Sequence, residues 1–234
     1  MSGVVPEGET ESYFNTRFAG LAIGVVLAGG LSRRMGGGDK GLIDIGGQTM
    51  LARAVARLQP QVGRVILNAN GDPARLSAFG LPVVPDAVEG FAGPLAGVLT
   101  GMLWARDHAP DARWVVTVAG DTPFFPDNLV ARFVEAAGHD EAMIALAASG
   151  GHRHPVFGLW PVALADDLHA FLDLGESRKV LAFVDRHPDI TVNFPGLMLD
   201  DVAVDPFFNV NTPEDIDIAE AIADALTEKE AATV

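Results

Sequence analysis

An apolar run, Ile23-Gly24-Val25-Val26-Leu27-Ala28, passes directly into Gly29-Gly30 and, a few residues later, Gly36-Gly37-Gly38. The length and β-branched content of the run suit a buried strand. The glycines after it allow φ > 0 and a close approach of backbone to ligand. A bend of this kind can turn several N–H groups toward one anion. Arg33, Arg34 and Lys40 add full positive charges to the same loop. The object that best fits such a loop is a polyphosphate.

Two better-known phosphate loops fail on spacing. A Walker A loop needs Gly, four residues, then Gly-Lys-Ser/Thr, but Lys40 lies between Asp39 and Gly41. The dinucleotide fingerprint needs Gly-x-Gly-x-x-Gly, which Gly29-Gly30-Leu31-Ser32-Arg33-Arg34 does not supply. A plain glycine-rich surface turn would require the strand, paired glycines, two arginines and spaced lysine to coincide by chance. The pattern Leu27-Ala28-Gly29-Gly30-x-Ser32-x-Arg34-Met35-Gly36-x-x-Asp39-Lys40 resembles the signature loop of the molybdenum cofactor guanylyltransferases. Related sugar-nucleotide enzymes carry Pro before the lysine; Asp39 stands there in this chain, as in the cofactor branch.

The resemblance extends over about residues 22–220. It implies an α/β fold: a single Rossmann-like nucleotidyltransferase domain, with a mainly parallel central sheet and helices on both faces. It implies transfer of GMP from GTP to the terminal phosphate of molybdopterin, with Mg²⁺ as cofactor and pyrophosphate released. Three other readings stay open at this point. They are the same reaction with CTP, a sugar-1-phosphate nucleotidyltransferase, and a non-catalytic nucleotide or pterin carrier. The implied partners are GTP and molybdopterin, with a molybdenum-insertion protein and apo-molybdoenzymes or their chaperones beyond them.

The 234 residues suit one domain, since domains run from roughly 50 to 250 residues. Its expected bounds are 21–226, after a mobile extension over 1–20 and before a frayed tail over 227–234. The 16 basic and 31 acidic residues leave a net charge of −15, which repels nucleic acid and favours a small anionic ligand at a local basic site. No apolar run approaches the ~18–20 residues of a membrane span, and no secretory pattern opens the chain. The absence of cysteine removes disulfide and thiolate chemistry. The expectation is a cytoplasmic protein, monomeric or weakly self-associating, bound to neither membrane nor nucleic acid.

Strands and helices then alternate. Thr49 is placed to cap a helix to about Leu58, with Leu51, Ala54, Val55 and Leu58 on one face. Val65–Leu67, Leu81–Val84 and Trp114–Ala119 read as strands, with helices over Pro73–Phe79 and Leu95–Arg106 between them. Further along, Leu129–Ala137, Ala163–Leu172 and Glu176–Val184 read as helices, and Ala142–Ala145, Val156–Trp160 and Ile190–Phe194 as extended. Thr212-Pro213-Glu214-Asp215 starts a last helix to about Leu226. Alternation of this kind makes right-handed crossovers and a mainly parallel sheet. Ligands of such sheets sit beyond the strands' carboxyl ends. The loop from Gly29, Asn68, Asp86 and Asp121 all follow strands, so four segments bring polar groups to one rim.

Asp121, facing the phosphate loop, is placed to hold Mg²⁺, an ion usually bound by one or two carboxylates and substrate phosphates; the resemblance assigns it the metal too. Capping of the turn at Pro123 is the competing role. The resemblance makes Arg34 and Lys40 catalytic, stabilising charge on the phosphates. It puts the nucleotide on Leu27, Ala28, Gly29, Gly30, Lys40, Asn68, Asp86, Gly97 and Asp121. A carboxylate such as Asp86 can accept from guanine N1–H and its exocyclic amine. Asn68 and Asp86 could equally be turn residues, and Gly93–Gly97 could serve helix–sheet packing. His154, Arg178, Lys179, Asn209 and Asn211 match acceptor-side positions. His152 and His154 lack the further ligands of a zinc site.

Overall fold

The computed structural model describes residues 20–29, 39–88, 90, 93–138, 140–175, 177–199 and 202–233, with side chains through 228. Its first half contains β1 (Ala22–Leu27), a small hairpin of β2 (Asp44–Ile45) and β3 (Gln48–Thr49), α1 (Met50–Leu58), β4 (Arg64–Asn68), β5 (Val83–Val84), α2 (Pro94–His108) and β6 (Trp114–Ala119). The second half adds α3 (Leu129–Ala137), β7 (Ile144–Ser149), β8 (His152–Pro161), α4 (Ala165–Leu174), α5 (Val180–Val184), β9 (Asp189–Asn193), a hairpin of β10 (Leu197–Leu199) and β11 (Val202–Val204), and α6 (Pro213–Thr233).

Seven strands form one sheet in the order β5-β4-β1-β6-β8-β7-β9. The first four are mutually parallel. Strand β8 runs against both β6 and β7, and β9 is parallel to β7. The expected mainly parallel sheet is therefore present, with one reversed strand in it. The carboxyl ends of β1, β4, β5 and β6 open on a single edge, and reversal brings the amino end of β8 to that edge too.

Side-chain alternation along buried strands divides the core in two. Ala22 and Val26 face a cluster that includes Leu51 and Leu58 of α1 and Phe133 of α3. Ile23 and Val25 face the other cluster, with Leu99 and Met102 of α2, Leu168 of α4 and Phe183 of α5. Helices thus cover both faces. Two glycines let helix α2 pack directly on the sheet. A Cβ on Gly101 would stand 2.5 Å from Val25 Cγ2, and one on Gly97 would stand 2.4 Å from Leu27 Cδ2. A third cluster, with Ile45, Met50, Phe124 and Val210, seats α6 beside the first hairpin.

Several expected boundaries are corrected. The 73–79 helix is 3₁₀, started by Asp72 accepting from Ala74 N and stopped by Gly80 at φ 63°. The third strand shrinks to Val83–Val84. Helix α5 begins at Val180, not Glu176, with Lys179 still extended at its cap. Strand β8 starts four residues earlier than expected, through a register shift against β7 that accommodates Pro155. Helix α6 continues past Leu226 to Thr233, because good helix formers and no Gly or Pro follow that point. The β10–β11 hairpin has too little alternation to stand out in the sequence.

Candidate active site

The common edge holds a cleft of about 860 Å³ lined by Leu27, Gly29, Asn68, Asp86, Asp121 and Asn209 among others. That size suits a nucleotide-sized ligand, since small-molecule pockets span roughly 300–1,000 Å³. Its two ends are built differently.

At one end β6 stops at Gly120-Asp121. A Cβ on Gly120 would lie 3.2 Å from Leu27 O, so the glycine lets the ends of β1 and β6 draw together. Lys40 opens a 3₁₀ turn over Lys40–Leu42 beside them. Its ammonium donates to Asp121 Oδ2 at 2.7 Å, Asn209 Oδ1 at 3.2 Å and Asn211 Oδ1 at 2.6 Å. All three of its donors are thereby engaged. Val210 N donates to Asp121 O at 3.1 Å, which sets Asn209 and Asn211 beside the carboxylate. Asp215 Oδ2 accepts from the main-chain N–H of Asn211 and Thr212, both at 2.8 Å. The Asn211 N–H, foremost, holds the Asp215 carboxyl below its usual range.

At the other end Asn68, the last residue of β4, is buried. Its amide donates to Val84 O at 3.2 Å and to Asp86 Oδ1 at 3.0 Å. Asn70 donates to Asp86 Oδ2 at 2.8 Å, and its own carbonyl oxygen accepts from Asp86 N at 2.8 Å. Both oxygens of Asp86 thus receive one amide each and keep capacity for further donors. Gly97 lies beneath: a Cβ there would stand 2.5 Å from Asn68 Oδ1. Its place is under the site as a packing glycine, and it does not line the cleft.

The expected acceptor residues separate. Asn209 lines the cleft and, with Asn211, meets Lys40 directly. His154 instead sits in a side cluster, its Nε2 at 2.6 Å from Ser149 Oγ, which donates to Asp205 Oδ1 at 2.7 Å. Its ring stacks on Phe207 at 4.5 Å. Burial lowers its pKa, against the opposing charge of Asp205 and with a smaller effect of His152. Arg178 and Lys179 are exposed and outside the cleft lining. The Arg178 carbonyl is nonetheless within 3.9 Å of a Cβ built on the lining residue Gly93. Ala28 borders the rim, its N donating to Asn68 O at 2.9 Å. Gly30, Arg33 and Arg34 lie outside the described residues.

The sequence reading missed Asn70 and Arg75, both of which line the cleft. A polar turn after a strand was the available signal for Asn70. None marked Arg75, whose partners are Asp39 and two main-chain carbonyls.

No described group of three or more His, Cys, Asp or Glu could hold a metal alone. Asp121 nevertheless has one oxygen with only a 3.5 Å contact from Thr122 Oγ1. A single open carboxylate suits Mg²⁺, which keeps waters and takes other ligands from substrate phosphates.

A family model described as MobA-like NTP transferase domain matches residues 24–190. A Bradyrhizobium sp. (strain ORS 278) protein named molybdenum cofactor guanylyltransferase is 53% identical over 200 residues, spanning 86% of this chain and 92% of the relative. One of the same name from Rhizobium meliloti (strain 1021) is 50% identical, spanning 88% and 94%. Among solved structures, molybdopterin-guanine dinucleotide biosynthesis protein A from Archaeoglobus fulgidus superposes with TM-score 0.65 at 21% identity, covering 87% of this chain and 98% of that one. The 4-diphosphocytidyl-2C-methyl-D-erythritol synthase of Anaerococcus prevotii gives TM-score 0.64 at 14% identity, covering 90% and 99%. At these identities the structures speak for the fold alone.

Proposed function

The chain belongs to the MobA-like NTP transferase family and is a nucleotidyltransferase, and from that premise we propose that it transfers GMP from GTP to the terminal phosphate of molybdopterin. The observation that carries the reading is one cleft with the Asp86 carboxylate at one end and the Lys40–Asp121 pair at the other. Close relatives named as guanylyltransferases support the choice of nucleotide and acceptor.

In the proposed reaction an acceptor phosphate oxygen attacks the α-phosphorus of GTP. A new P–O bond forms as the bond to the β-phosphate oxygen breaks, and pyrophosphate carries away the electron pair. Asp86 accepts from guanine N1–H and the exocyclic amine, for which adenine has no equivalent donors. Lys40 leaves its resting partners for the phosphates and stabilises charge there, as preorganised cations do in phosphoryl transfer. Arg34 adds a second cation, on the resemblance of its motif. Asp121 would hold the Mg²⁺, which would neutralise phosphate charge there. Asn209 and Asn211 keep Lys40 in reach.

The test supplies purified protein with molybdopterin, molybdate with any insertion factor required, Mg²⁺ and either GTP or CTP. Guanine dinucleotide that disappears without Mg²⁺ and in Asp121→Ala supports the reading. Cytosine dinucleotide overturns the base assignment. Nucleotide binding without product from either indicates a carrier.

A further inference from the structure

We propose that Arg75, acting with Asn70, is a positioning residue that fixes the base-reading carboxylate and ties it to the lysine end of the cleft. The inference rests on the guanine reading of Asp86 given above and adds residues that the reading does not use.

The geometry begins with the fork of a single guanidinium. Arg75 Nε donates to Asp72 O at 3.2 Å and one terminal nitrogen donates to Asn70 O at 2.7 Å. The other terminal nitrogen is paired with Asp39 Oδ1. Two of these partners belong to the turn after β4; the third is 36 positions away in sequence and adjoins Lys40. Asp39 is largely buried, its side chain 11% exposed against 27% for Arg75. A partly shielded pair of this kind holds its geometry better than a solvated surface pair.

Asn70 then passes that order to Asp86 by two contacts, one to the carboxylate and one from the main-chain N–H. With its main chain pinned by Arg75 and its side chain clamping Asp86, Asn70 leaves the carboxylate little freedom to turn. Asp39 passes order the other way, since the 3₁₀ turn that begins at Lys40 closes with Leu42 N donating to Asp39 O at 3.0 Å. One side chain thus touches both ends of the cleft. A lysine could keep the charge but not three directed bonds in a plane.

A merely structural arginine would, when replaced, weaken all nucleotides alike. A residue that orients Asp86 affects the exocyclic amine of guanine in particular. Inosine triphosphate lacks that amine, so the ratio of GTP to ITP affinity reads the orientation of Asp86 directly.

The experiment titrates GTP and ITP, with Mg²⁺, into the full chain and into Arg75→Met, Arg75→Lys and Asn70→Ala, alongside thermal unfolding. Asn70 is exposed, so its variant tests the clamp should Arg75→Met fail to fold. The expected result is a drop of about tenfold in the GTP-to-ITP ratio in both Arg75 variants and in Asn70→Ala, the size of one directed hydrogen bond. A wild-type ratio in Asn70→Ala, or in a folded Arg75 variant, overturns the inference. A wild-type protein that does not prefer GTP over ITP overturns the guanine reading itself, which is a separate outcome.

Discussion

Asp86 and Asp121 are carboxylates on one rim, and they are held in opposite ways. Asp86 is fixed by neutral amides, from Asn68 and Asn70. Asp121 is joined to an ammonium that two further side-chain oxygens also hold. Neutral donors orient a carboxylate without cancelling its charge, so the Asp86 end is ready for a donor-rich base as it stands. The Asp121 end is closed upon itself. For Lys40 to meet phosphates it must exchange partners, and charge-assisted bonds of this kind are the strong ones. On the proposed reading, one end of the cleft selects and the other switches.

The largest effect expected is on the switching end. Lys40→Met should lower turnover by roughly 10²–10³-fold, the scale of losing one preorganised charge contact in a transition state. The GTP-to-ITP preference should stay at the wild-type value, because Asp86 keeps its amides. Steady-state rates at saturating GTP, with equilibrium titration of both nucleotides, check this. A preference that collapses together with turnover would break the division between the two ends.

An intermediate effect belongs to the selecting end, reached from below. Gly97→Ala places a methyl group against Leu27 Cδ2 and Asn68 Oδ1, whereas Gly101→Ala places one against Val25 and Val115. Each should cost about 1–3 kcal/mol in urea unfolding, the usual scale of overpacking. Only Gly97→Ala should also weaken GTP binding, through the displaced Asn68 amide. Equal GTP affinity in the two variants would deny Asn68 its part in holding Asp86.

What the sequence discloses follows the same division. The rim was legible because each strand that builds it is a short apolar run ended by Gly, Asn or Asp, and a parallel sheet sends such ends to one edge. Asp86 and Asp121 could therefore be placed at the rim, where both line the cleft, and Thr49 could be placed as a cap that accepts from Ala52 N. The partners were not legible. Lys40 and Asn211 are 171 residues apart, and nothing local says that an asparagine beside the last helix meets the lysine that follows the glycine-rich stretch. Arg75 was silent for another reason: main-chain carbonyls, which every residue has, make two of its three bonds. The early start of β8 was hidden by Pro155 and by polar residues at its exposed tip. Helix α6 has a start signal at Thr212–Asp215 but no stop before Thr233, so local pattern alone does not fix its end.

The smallest effect lies outside both ends, at His154. Burial lowers the pKa of its imidazole from the ordinary 6.5, so on acidification the unfolded chain takes up this proton before the folded one does. Stability rises with pH wherever the unfolded state binds more protons. The contribution of His154 is thus fully present above pH 6.5 and is lost as the pH falls through the lower, folded value. The wild-type urea midpoint should decline across that window, and His154→Gln should decline less. The GTP-to-ITP ratio of His154→Gln should match the wild type at every pH, since the hydrogen bonds of the ring lead to Ser149 and Asp205 and not to the cleft. A ratio that moved with this substitution would show that the side cluster reaches Asp86 after all, and the selecting end would then be larger than its amides.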